Sequence, residues 1–162
     1  MNKIYICRGV SGSGKSSQAW LLSEEIFSKG EPYPERLEAD MWFIRENGEY
    51  RFDPMELTNA HNWCRLSTEH AIRRGSSVIV SNTFTRRSEL KPYIELALRY
   101  NVHLQIIETS TEWCRDAFEC ARRNVHGLSV ETIQKQLARW EHVIPKVYGG
   151  KALEKLLREC SK

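Results

Sequence analysis

The sequence predicts an α/β fold: a parallel sheet covered by helices on both faces, in a three-layer α/β/α sandwich. Three observations carry this expectation. Short β-rich runs alternate with helical stretches from end to end, as βαβ units require. The first run leads straight into a glycine-rich turn and then a helix. No repeat, low-complexity tract or linker interrupts the chain, so residues 1–162 are expected to form a single domain.

Lys3 to Cys7 is the first β-rich run. Lys15 to Ser28 is helical, with Ala19, Leu21, Leu22 and Ile26 on one face, and Gly30, Pro32 and Pro34 end it. Arg36 to Ala39 is the second strand, finishing at Asp40. Asn47-Gly48 signals a turn. A long helix is expected from Met55 to Arg74, stopping at Gly75. Ser77 to Val80 is a buried strand that leads into Ser81-Asn82-Thr83. A helix over Ser88–Tyr100 and a strand over Val102–Ile107 follow. Thr111 to Arg123 is expected to be helical, broken at His126-Gly127, and Val130 to Trp140 helical again. Gly149-Gly150 precede a C-terminal helix over about 151–160.

At 162 residues the chain fits one domain. Its 41% hydrophobic and 28% charged residues are ordinary for a globular protein. No apolar run approaches the roughly 18 residues of a membrane helix, and Met1 to Ile6 reads as a strand rather than a signal peptide. Both point to a cytoplasmic protein with no membrane partner. Five cysteines, irregularly spaced and without a C-x-x-C pair, suggest reduced thiols rather than zinc or disulfides. A net charge of +3 excludes no class of partner. The Leu153-Leu156-Leu157 stripe either docks on the body or seals a weak dimer, so a monomer or weak homodimer is expected.

In open parallel sheets, ligands sit beyond the carboxyl ends of the strands. That rule selects Gly9–Ser16, Asp40, Ser81–Thr83 and Glu108–Thr111. The first segment, Gly9-Val10-Ser11-Gly12-Ser13-Gly14-Lys15-Ser16, fits G-x-x-x-x-G-K-[ST] at every fixed position. Glycines let backbone N–H groups converge on phosphate oxygens. The helix that follows presents free N–H groups and a positive dipole end. Lys15 supplies a cation for the β- and γ-phosphates, and Ser16 offers a hydroxyl to Mg²⁺. Gly9, Ser11, Gly12, Ser13, Gly14, Lys15, Ser16 and Ser17 are therefore candidate residues for ATP, with Ser16 the candidate metal ligand.

A GTPase would need an Asn-Lys-x-Asp segment, which is absent. A motor or AAA-type ATPase would be larger and would place an acid where this chain has Ser81-Asn82. A small P-loop kinase remains, adenylate-kinase-like, with a lid over about 122–130. Transfer to an alcohol benefits from a base. Of three aspartates, Asp53 precedes Pro54 in a turn and Asp116 is expected mid-helix. Asp40 alone lies at a strand end on the ligand side, as catalytic base, as N-cap of a helix from Met41, or as both. Arg122 and Arg123 either close on the transferring phosphoryl group or complement a helix dipole.

These segments resemble the 5′-polynucleotide-kinase-like P-loop domains of phage end-repair kinases and larger cellular proteins. The likeness runs through Arg8 to Ser16, Ala39-Asp40 with Trp42-Phe43, and Gly48 to Pro54. It continues through Ala60-His61, Val78 to Thr83, Glu89 to Tyr93 and Ala121 to Gly127. It implies that Asp40 is the catalytic aspartate, Lys15 and Ser16 nucleotide and metal residues, and Arg123 a lid arginine on the ATP phosphates. It also puts Asn82 and Thr83 near the acceptor. The chain departs from cellular members at Ser81 to Phe84, where Asp-Asn-Thr-Asn is frequent, and at Met41, where a second Asp is frequent.

The expected acceptor is a hydroxyl on nucleic acid, DNA or RNA, foremost a polynucleotide 5′-hydroxyl. The alternatives are 5-hydroxymethyluracil in DNA, a small metabolite, or no acceptor at all in a nucleotide-binding module. Trp42, Phe43 and Phe84 could stack on bases or pack in the core. Arg86 and Arg87 could hold acceptor phosphates. His61 and His126 are given packing or capping roles.

Overall fold

A computed structural model describes residues 2–162. Five strands form one sheet: β1 (Lys3–Arg8), β2 (Glu35–Leu37), β3 (Val78–Asn82), β4 (His103–Glu108) and β5 (Val147–Tyr148). Their spatial order is β2-β3-β1-β4-β5. The first four run parallel, with Ile6 beside Val80 on one flank and Ile106 on the other. β5 is antiparallel to β4, pairing Tyr148 with Leu104. The expected parallel sheet thus gains one short antiparallel edge strand, whose two residues carry no readable periodicity.

The helices are α1 (Lys15–Ser28), α2 (Leu57–Arg73), α3 (Arg87–Arg99), α4 (Ala117–Arg123), α5 (Val130–Ala138) and α6 (Lys151–Cys160). Alternate strand residues point to opposite faces. Ile4, Ile6, Val78, Val80, Leu104 and Ile106 pack against α2, α3 and α6 in the main core. Tyr5, Cys7 and Ile79 face the other way, onto Ala19 and Ile26 of α1. A third cluster joins Val10 to Ala117, Cys120 and Ile133, seating α4 and α5 against the glycine-rich turn.

Two local expectations change. Residues 111–116 form turns, and α4 starts only at Ala117. Asp116 is not mid-helix but its N-cap, accepting from the N–H groups of Phe118 and Glu119 at 3.1 Å each. Phe84 is not on an open ligand face: it is 3% exposed, set edge-on to Tyr93 with centroids 5.5 Å apart. Phe43 is likewise core, packed on Phe52 at 5.0 Å.

The last residue of β1, Arg8, is completely buried. Its guanidinium donates to the carbonyls of Phe84 (2.6 and 3.0 Å), Thr85 (3.4 Å) and Glu141 (2.9 Å). It lies 4.1 Å from the centroid of the Trp140 ring and 3.5 Å from Glu108. Burial pulls its pKa below the ordinary value, and the Glu108 carboxylate opposes that shift. Arg8→Met would keep much of the volume but leave the carbonyls of Phe84 and Glu141 without their donor, while that of Thr85 keeps the Glu141 N–H at 2.8 Å. Urea denaturation is expected to show a loss of about 3 kcal/mol or more, with an unchanged m-value.

Candidate active site

β1 ends at Arg8, and the chain turns at once through Gly9–Gly14 into α1. Gly12 has φ 79° and Gly14 φ 103°, the left-handed region that favours glycine. Gly14 is the N-cap of α1, so the first helical N–H groups open beside the turn. A Cβ on Gly12 would collide with the Cys120 carbonyl, so α4 packs directly on the loop backbone.

Side chains from distant segments pin the loop. Gln136 of α5, almost buried, accepts from the Ser11 N–H at 2.9 Å and donates to the Ser11 hydroxyl at 3.1 Å. Trp113 donates its indole N–H to the Gly12 carbonyl at 3.1 Å. The Thr111 hydroxyl donates to the Ser13 carbonyl at 2.9 Å, and that of Thr109 to the Ser13 hydroxyl at 3.1 Å. The sequence flagged only the Glu108–Thr111 stretch of this set. Trp113 and Gln136 lie on helical patterns with no local signal of their partners.

Lys15 folds back to donate to the Val10 carbonyl at 3.0 Å. Burial lowers its pKa, while the charges of Cys7, Glu38 and Asp40 act in the opposite direction. A desolvated ammonium at a helix N-terminus is set to gain from an incoming anion. The Ser16 hydroxyl donates to Glu38 at 2.7 Å. Glu38, which the sequence reading missed, brings a carboxylate to the candidate metal residue. Such an oxygen pair suits a hard cation that keeps several waters and also binds substrate phosphates. Among the described residues no cluster of three His, Cys, Asp or Glu could hold a metal alone. Magnesium would therefore be held through Ser16 and the nucleotide phosphates, and the residues present fit it. Ser17 is exposed in the first turn of α1.

After β2 the chain makes a 3-10 turn over Ala39–Phe43, whose first N–H donates to the Asn82 side-chain carbonyl at 2.9 Å. Asp40 lies within that turn, with Glu38 in the capping position, so the N-cap alternative for Asp40 falls. Its carboxylate is about half exposed, at 45%. The Tyr50 hydroxyl donates to Oδ1 at 3.1 Å, and His126 Nε2 lies 3.3 Å from Oδ2. Tyr50 arrives on the predicted Asn47-Gly48 turn, which pairs Ile44 with Tyr50 in antiparallel register. Burial first, then the Asp40 charge and hydrogen bond, push the Tyr50 pKa far above its ordinary value.

The other expected acceptor residues separate. Asn82 is nearly buried, and its amide is spent on Ala39 and the Cys64 sulfur. Thr83 is half-buried, and Arg86 is exposed at the N-cap of α3. Trp42 is 41% exposed, tilted against Trp63 at 6.5 Å. Arg122 and Arg123 both pair with Glu119, Arg122 through Nε at 3.0 Å and Arg123 at 3.2 Å. Arg123 also stacks 3.7 Å from the centroid of Trp113, the ring that holds Gly12. Exposed pairs of this kind are weakly held, so either arginine can transfer to a phosphate at little cost.

The strand order, the glycine-rich loop after β1 and the carboxylates after β2 define a P-loop kinase-like fold. The chain belongs to the AAA domain family, whose match covers residues 4–144. Solved structures of similar shape include kinases. The Mycobacterium tuberculosis APS kinase CysC matches with TM-score 0.60 and 16% identity, over 98% of this chain and 94% of that one. The Pnkp1/Rnl/Hen1 RNA repair complex matches with TM-score 0.56 and 19% identity, over 99% of this chain and 44% of that one. Human NEDD4-binding protein 2 is 32% identical over 158 residues, which is 96% of this chain. The chain spans only 9% of that relative's length.

Gly12→Ala places a methyl group against backbone at a left-handed φ. Calorimetric titration with ATP is expected to show binding weakened by about tenfold or more, since forcing a side chain into that conformation costs about 1–2 kcal/mol before the Cys120 clash is counted.

Proposed function

We propose that the protein transfers the γ-phosphoryl group of ATP to an alcohol, foremost the 5′-hydroxyl of a polynucleotide. The observation that carries this reading is Asp40: a half-exposed carboxylate on the ligand side of the sheet, close enough for its charge to act on the partly buried Lys15. A carboxylate there can accept the hydroxyl proton as the acceptor oxygen attacks phosphorus. The free N–H groups at the start of α1, around residues 14–16, and the Lys15 ammonium would bind the phosphates and hold the charge that spreads over them. Bound there, ATP with Mg²⁺ supplies the group to be transferred and part of the charge neutralisation. Arg123, loosely held on Trp113 and Glu119, is the cation we assign to closing over the phosphates, with Arg122 beside it.

Polynucleotide acceptors are supported by the sequence resemblance and by the similar fold in an RNA repair complex. Trp42 offers an exposed ring beside Asp40 for stacking on a base. Arg86, exposed after the β3 end with Thr83 nearby, is positioned to meet an acceptor phosphate. One observation favours a small-molecule acceptor instead. The stretch beyond Trp42 mixes Arg45 and Arg51 with Glu46, Glu49, Asp53 and Glu56, rather than forming a basic track for a phosphate backbone.

γ-Labelled ATP offered with 5′-hydroxyl DNA and RNA oligonucleotides, hydroxymethylated duplex DNA, nucleosides and small alcohols separates these acceptors. End-labelled oligonucleotide is the expected product, formed at a rate that falls steeply with salt. Label only in small alcohols would replace the acceptor. Asp40→Asn is expected to keep ATP affinity while kcat drops by about 10²–10⁴-fold, the usual worth of a general base. A nucleotide-binding module without transfer would be indifferent to that substitution.

A further inference from the structure

Asp40 is clamped from both sides. Tyr50 holds Oδ1 from the Asn47-Gly48 hairpin, and His126 reaches Oδ2 from the segment joining α4 to α5. The two clamping rings stack on each other, with centroids 4.3 Å apart and planes 26° apart. The segment carrying His126 is itself shaped for this contact. The Asn124 side-chain carbonyl accepts from the N–H groups of His126 (2.6 Å) and Leu128 (3.5 Å), and Gly127 turns the chain at φ 71°. Neither neighbour of His126 is held in this way: Val125 is 87% exposed, and Gly127 has no side chain.

We infer that His126 and Tyr50 are positioning residues for Asp40, and that the α4–α5 segment completes the active site by bringing His126 down onto Tyr50. This rests on the kinase reading proposed above. A half-exposed carboxylate on a short 3-10 turn has rotamers to choose from. The Tyr50 hydroxyl donates to one oxygen and the His126 ring lies against the other, which together fix the plane of the group, and a carboxylate retains lone pairs for an acceptor hydroxyl. Tyr50 is fixed to the body through the Ile44 bridge and the edge contact of Phe43 at 6.1 Å. His126 is not, so it joins the clamp only when its segment lies down. The arginines assigned to the phosphates sit on the same segment, at the end of α4. Closing over the nucleotide and orienting the base therefore become one movement.

The test separates orientation from binding. His126→Ala and Tyr50→Phe are each expected to lower kcat about tenfold or more, with KM for ATP unchanged, because a reacting group displaced by about 1 Å can cost up to 10²-fold. His126→Gln, which can still offer an N–H to Oδ2, should recover part of the loss. The double variant should be no slower than Asp40→Asn, since residues acting through one group are not additive. In NMR spectra, the His126 ring protons should move toward their free-peptide positions in Tyr50→Leu, as the ring current of the stack is lost. A wild-type kcat in His126→Ala, or a raised KM with kcat intact, would overturn the inference, as would unmoved His126 ring signals in Tyr50→Leu. A wild-type rate in Asp40→Asn would instead sink the kinase reading. The NMR measurement would still decide whether the clamp exists.

Discussion

Arg8 brings a full positive charge to a place that water does not reach. An unpaired buried charge would cost several kcal/mol, so the surrounding chain has to answer it. It does so with backbone. The carbonyls of Phe84 and Thr85 turn in from the β3–α3 connection, and that of Glu141 from the irregular stretch after α5. Phe84 adopts φ 46° as it does so, a conformation that a bulky side chain takes only when its surroundings impose it. The residue that closes β1 thus ties together three segments far apart in sequence. The phosphate loop, which begins one residue later, inherits a fixed starting point.

Beyond that anchor, the loop is supported from outside rather than by its own glycines. Glycines permit the path, but Gln136, Trp113, Thr111 and Thr109 hold it. All four hold it from the segments after β4, where the arginines and His126 also reside. Polar contacts made to backbone carbonyls and to Ser11 leave the helix-start N–H groups free for a ligand. The groups that meet phosphate are thus arranged in advance, which limits the ordering they must undergo on binding.

Much of this was legible in the sequence because it is local. The glycine spacing, the helix over Lys15–Ser28 and the strand-end position of Asp40 all follow from a few consecutive residues. The Asn47-Gly48 turn was legible for the same reason. What escaped was long-range or too short to show a period. Glu38 looked like any strand residue until its carboxylate met Ser16, 22 positions away. Gln136 meets Ser11 across 125 positions, and no motif encodes such a pairing. His126 reads as a turn residue because its partners, Tyr50 and Asp40, come from another layer. Phe84, left open between a stacking and a core role, could not be decided from sequence for a different reason. Following a strand end suggested exposure, yet its carbonyl is turned to Arg8 and its ring to Tyr93. Asn82, polar and at the same strand end, is used to fasten the Asp40 turn rather than left open.

The sheet also stops in a particular way. Its two outermost strands are three and two residues long, Glu35–Leu37 and Val147–Tyr148. Each follows a proline, Pro34 or Pro145, and carries charge alongside: Glu35 and Arg36 on one margin, Lys146 on the other. Short, charged, proline-guarded margins give another chain nothing long enough to zip onto. A protein whose interior strands carry runs such as Val78-Ile79-Val80 is thereby protected against self-templated aggregation, and its crowded parallel centre stays private to the fold.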